Sequence, residues 1–103
     1  EKQKETLRKI DELFAESHEQ VEVDLISNFQ DVELLDVNNP NNIELQSLLH
    51  RYEHLTVFAC KRALERAHKE GKPFDLMKSA VQDQPAIDRL AKRLNSGWSY
   101  IKI

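Results

Sequence analysis

Asn42-Ile-Glu-Leu-Gln-Ser-Leu-Leu-His-Arg51-Tyr-Glu-His-Leu-Thr-Val-Phe-Ala-Cys60-Lys-Arg-Ala-Leu-Glu-Arg-Ala-His-Lys-Glu70 runs between Pro40 and Gly71 without an internal glycine or proline. Leu45, Leu48, Leu49, Tyr52, Leu55, Ala59, Ala63 and Ala67 recur at spacings of three and four, as the apolar stripe of a helix does. Asn41 with Glu44 has the spacing of a capping box, and Gly71 followed by Pro73 supplies a stop. The stretch therefore predicts one long helix over 42–70. Val57 and Phe58 lie off that stripe, so one packed face cannot bury all of these side chains.

Before this stretch, Asp36-Val-Asn-Asn-Pro-Asn-Asn42 gathers residues that bond their own backbone, and it reads as a loop. Leu7, Ile10, Phe14, His18, Val21, Leu25, Phe29 and Val32 predict a first helix over about 3–30. Val21, Val23 and Leu25 also alternate with Glu22 and Asp24, which leaves a short strand as the other reading there. After it, Phe74, Met77 and Val81 predict a short third helix. Ile87, Leu90, Ala91 and Leu94 predict the inward face of a fourth, with Asp83 as cap and Pro85 in its first turn. The expected fold is all-α: a small bundle of two long antiparallel helices and two shorter ones, forming one helical domain over 1–103.

Composition fits a folded domain. Leu, Ile, Val and Phe number 29 of 103 residues, enough to form a core and too many for a disordered chain. A chain of this length leaves little room for a deep internal active site. The sequence holds no apolar run of membrane-spanning length and does not open on a signal-peptide pattern. A single cysteine forms no internal disulfide and points to the cytoplasm or another reducing compartment. Glu1 in first place reads as a processed chain or an excerpt of a longer one. The net charge of −3 divides unevenly, with −7 over residues 1–40 and +4 over the rest, which suits acidic and basic elements packed side by side.

His50-Arg-Tyr-Glu53-His54 matches the H-x-x-E-H pattern of inverted zinc proteases, since a helix would bring the two imidazoles one turn apart. A catalytic metal also needs a third ligand and a cleft, and neither is legible, so no metal or other cofactor is expected. Only Gly71 and Gly97 are present, which excludes a glycine-rich phosphate loop or dinucleotide fingerprint. Cys60 reads as a small hydrophobe on the flank of the stripe.

With no catalytic constellation, the expected function is a non-catalytic protein-interaction module, whether regulatory, adaptor or inhibitor. Its partner is another protein or a second copy. Val57 and Phe58, with the cationic Lys61 and Arg62 beside them, and Trp98 and Tyr100 in the tail are the candidate contact residues. The alternative is a nucleic-acid-binding domain. Ala91, Asn95 and Ile101 fall at the small, turn and apolar positions of a helix-turn-helix, with Leu90 and Leu94 as core sites and Arg89, Lys92, Arg93 and Lys102 supplying charge. An overall pI near 5.8 argues against it.

Overall fold

The computed structural model describes residues 2–16 and 21–101, and the architecture is mixed α/β, not all-α. In chain order it comprises α1 (Lys2–Ala15), β1 (Val23–Ser27), a 3-10 helix (Phe29–Leu35), α2 (Asn42–Arg51), β2 (Leu55–Ala59), α3 (Lys61–Lys69) and α4 (Ala86–Asn95). β1 and β2 run parallel, in a register from Val23 beside Leu55 to Ser27 beside Ala59. Among the described residues no helix is long and apolar enough to cross a membrane.

The expected long second helix is three elements. α2 ends at Arg51, a turn carries Glu53 and His54, and Leu55-Thr-Val-Phe-Ala59 is extended. Leu55, Val57, Phe58 and Ala59 are all buried, so both faces of this strand are covered, as parallel strands require. The residues whose helical stripe left Val57 and Phe58 stranded thus bury them by changing conformation. The thirds-and-fourths spacing of Leu48, Tyr52, Leu55 and Ala59 is a coincidence of a helix running into a continuously apolar strand.

The expected first helix is divided in the same way. α1 stops at Ala15, the alternation of Val23, Asp24 and Leu25 is realised in β1, and Val32, Leu34 and Leu35 enter the core from the 3-10 helix. His18 lies outside the described residues. The third expected helix is absent: residues 74–81 form a strap without regular helix or strand, with a turn at Lys78 and Ser79 between isolated bridges at Leu76 and Val81. Met77 N–H donates to Leu35 O at 2.9 Å and Val37 N–H to Asp75 O at 2.9 Å. At the strap's other end Val81 serves the free edge of β2, donating to Val57 O at 3.0 Å and accepting from Ala59 N–H at 2.8 Å. Buried strand-edge groups need partners, and that demand outweighs the helical spacing of Phe74, Met77 and Val81.

The asparagine-rich loop forms where expected, closed by side chains on its own backbone: Asn38 N–H donates to Asp36 Oδ1 at 2.8 Å and Asn41 N–H to Asn39 Oδ1 at 2.9 Å. No capping box forms at Asn41. Its Nδ2 donates instead to Gln3 Oε1 at 2.8 Å, tying α1 to this loop. Asn42 is buried and donates to Leu34 O at 2.9 Å, so the start of α2 is pinned to the end of the 3-10 helix. Gly71, at φ 77°, ends α3 as expected, with Lys72 N–H reaching back to Ala67 O at 2.9 Å.

A second junction joins α1 to the end of α2. Phe14 stacks on Tyr52 with ring centroids 4.4 Å apart, and the Tyr52 hydroxyl donates to Asp11 Oδ1 at 2.6 Å. The Asp11 carboxylate holds the phenolic proton and raises the Tyr52 pKa above its ordinary value of 10.0; desolvation acts the same way, and Arg51 opposes it. The folded chain keeps this proton longer than the unfolded one, so stability falls as pH climbs past about 10. In an alkaline titration followed by phenolate absorbance, one tyrosine is expected to ionise late and to move back down in Asp11→Asn. An identical titration in that variant would show that the bond is not made in solution.

Candidate interaction surface on α4 and the C-terminal tail

Asp24 governs this side of the molecule. It sits on β1 with a side chain only 3 % exposed, and a carboxylate buried that far must be paired with cations. α4 supplies two, one turn apart. Arg89 Nε donates to Asp24 Oδ2 at 2.7 Å and Arg93 Nε to the same oxygen at 2.9 Å. The Arg89 guanidinium also lies 5.1 Å from the centroid of the buried Phe58 ring. Asp24 Oδ1 is buried with no hydrogen-bond partner among the described residues.

This pairing fixes the rotation of α4 and reverses the expected one. Ala86, Arg89 and Arg93 turn inward, whereas Ile87 is 64 % exposed, Leu94 is 45 % exposed and Ala91 also faces solvent. Leu90, at the boundary, is half-buried. The apolar stripe read as the core face of the fourth helix is therefore mostly its outer face. The helix begins without the expected Asp83 cap: Pro85 occupies the N-cap, and Ala86 N–H donates to the buried Cys60 Sγ at 3.3 Å.

α4 ends at Asn95, and Gly97 just past it, at φ 93°, lets Trp98 N–H reach back to Arg93 O at 3.1 Å. That turn brings Trp98 against Arg93, with the guanidinium 4.4 Å from the ring centroid. The half-buried Trp98 is thus positioned by the same arginine that holds Asp24, and the exposed Tyr100 and Ile101 follow it.

Of the contact residues expected from sequence, Val57 and Phe58 are buried in β2 and cannot meet a partner; this corrects that assignment. Lys61 and Arg62 are exposed at the start of α3, and Lys61 N–H donates to Gln84 O at 3.1 Å, which sets them beside the start of α4. Trp98 and Tyr100 are on the α4 side. Ile87 and Leu94 were assigned to the core, although the buried Asp24 that displaces them stood in the alternating stretch at Val23.

The solved structures include a counterpart of this fold. It is a protein of unknown function, MTH1491, from Methanobacterium thermoautotrophicum, with a TM-score of 0.82 and 17 % identity over 95 % of this chain and 84 % of that one. At that identity the likeness speaks to the fold alone, and it supports the mixed α/β architecture. No protein-family model matches the sequence, and neither does any curated protein.

The remaining motifs do not assemble as their spacing suggested. α2 ends at Arg51, so His50 and His54 do not share a helix face; His54 Nε2 lies 3.6 Å from Glu53 Oε1. Among the described residues no group of three His, Cys, Asp or Glu is placed to hold a metal ion. Ala91, Asn95 and Ile101 are exposed and residues 98–101 are not helical, so the two-helix packing their spacing describes is not formed there. Arg89 and Arg93, read as phosphate contacts, are bonded to Asp24, and Lys102 lies outside the described residues.

Proposed function

We propose that the protein is a non-catalytic protein-interaction module that binds through the outer face of α4 and the tail after it. One observation carries this reading: Ile87, Leu94, Tyr100 and Ile101 are four of the six large hydrophobic side chains that stand exposed among the described residues, and all belong to residues 87–101. Contiguous exposed apolar surface marks contact sites, and an arginine stacked on a tryptophan is the kind of rigid anchor around which binding energy concentrates. Lys61 and Arg62 supply a cationic rim at the start of the helix. Regulatory, adaptor and inhibitor roles all fit such a surface.

The test is Leu94→Lys. Leu94 is 45 % exposed and lies outside the core, so the melting midpoint is expected to change little, while partner retained from the native lysate falls about tenfold, the equivalent of roughly 1.4 kcal/mol of binding. Equal retention by both proteins would overturn the reading.

A further inference from the structure

We infer that the partner of this surface is a second copy of the same chain, docked α4 against α4, antiparallel, about a two-fold axis. The inference rests on the interaction reading above and adds the identity of the partner. A two-fold interface requires one patch to be complementary to itself, and α4 has that property in both shape and charge.

The shape comes from spacing. At about 100° per residue, Leu94, Ile87 and Ala91 fall within about 60° of one another, and the small Ala91 at the middle lets a second helix approach closely. With the axis between Leu90 and Ala91, Ile87 of each copy lies opposite Leu94 of the other. Tyr100 and Ile101 extend the apolar surface beyond the helix.

The charge comes from which polar residues flank that seam. Asp88 in the first turn and Lys92 in the last lie on the same flank, both exposed, and neither makes an ion pair with any described residue. A two-fold axis normal to the pair keeps each copy's flank on the same side. In the register above, Asp88 of one helix then meets Lys92 of the other with an offset of about 1.5 Å, one residue's rise. The pairing occurs twice, and the antiparallel helix dipoles add to it. In a parallel pair the two-fold axis would run along the helices and place the two Asp88–Lys92 flanks on opposite sides of the seam, where neither could meet the other. Arg89 and Arg93 do not oppose this docking because Asp24 already partners them inside each copy.

Sedimentation equilibrium of the full chain across micromolar concentrations tests the proposal, with α-helical circular dichroism confirming that each variant folds. The wild type is expected to dimerise reversibly. Asp88→Lys should weaken the dimer at least about fivefold, and Asp88→Lys with Lys92→Asp should restore it to within about twofold, since like-charge contacts become opposite-charge ones again. A wild type that stays monomeric overturns the proposal. So does a dimer indifferent to both variants, which would lie elsewhere, or one that the double exchange fails to restore, which would have another orientation. A monomer whose Leu94→Lys variant still loses partner from lysate would leave the interaction reading standing and remove self-association alone.

Discussion

Phe58→Ala is expected to cost about 3–5 kcal/mol of folding stability, the range for emptying a fully packed aromatic site. Phe58, in β2, is completely shielded from solvent. It pairs with Ile26 on one side and bridges to Val81 on the other, and Arg89 lies over its ring. Truncation would therefore open a cavity between the sheet, the strap and α4, and would leave Arg89 with a less favourable site. Small domains have about 5–15 kcal/mol in total, so the variant should be marginal in a urea titration followed by circular dichroism. Phe58→Asp should not fold at all. A surface role would leave both variants folded, and a loss below about 1 kcal/mol would show that β2 is not the centre of the core.

The second large effect is expected at Asp24. Removing one member of a buried ion pair leaves its partners desolvated and uncompensated, at a cost of about 3–5 kcal/mol. Arg93 can turn partly to water and Arg89 much less, since their side chains are 31 % and 13 % exposed. We therefore expect Asp24→Ala to lose about 3 kcal/mol, with hydrogen exchange rising first along α4, whose rotation this carboxylate fixes. Replacing Asp24, Arg89 and Arg93 together by apolar residues of similar volume should recover most of the loss. A single variant as stable as the wild type would mean that both arginines find water without moving the helix.

Both strands left a trace in the sequence. Val57 and Phe58 did not fit the helical stripe from Leu45 to Ala67, and a strand at Leu55–Ala59 is the conformation that covers them. Val23 and Leu25 alternated with Asp24 inside an apparently helical run, and that alternation is β1. β1 stood as an alternative reading of its stretch, whereas β2 left only the misfit of Val57 and Phe58. What a single segment could not supply was the other strand: a five-residue strand gains its hydrogen bonds only from a neighbour, here about thirty residues away in sequence. Local spacing therefore favoured helix in both places.

The interaction surface was legible in the opposite sense. Ile87, Leu90, Ala91 and Leu94 were recognised as one face, but an amphipathic helix does not say which side meets the core. Asp24 decided it, because burying one carboxylate without cations costs more than exposing two aliphatic side chains at about 1.5–3 kcal/mol each.

By itself, then, the sequence determined the loop at Asp36–Asn42, the stop at Gly71, the short C-terminal helix and the aromatic tail, features set by turn chemistry and by spacing within a few residues. Only the tertiary structure decided the parallel sheet, the strap over 74–81 and the outward face of α4. Each of these depends on satisfying a buried backbone group or a buried charge with a partner distant along the chain.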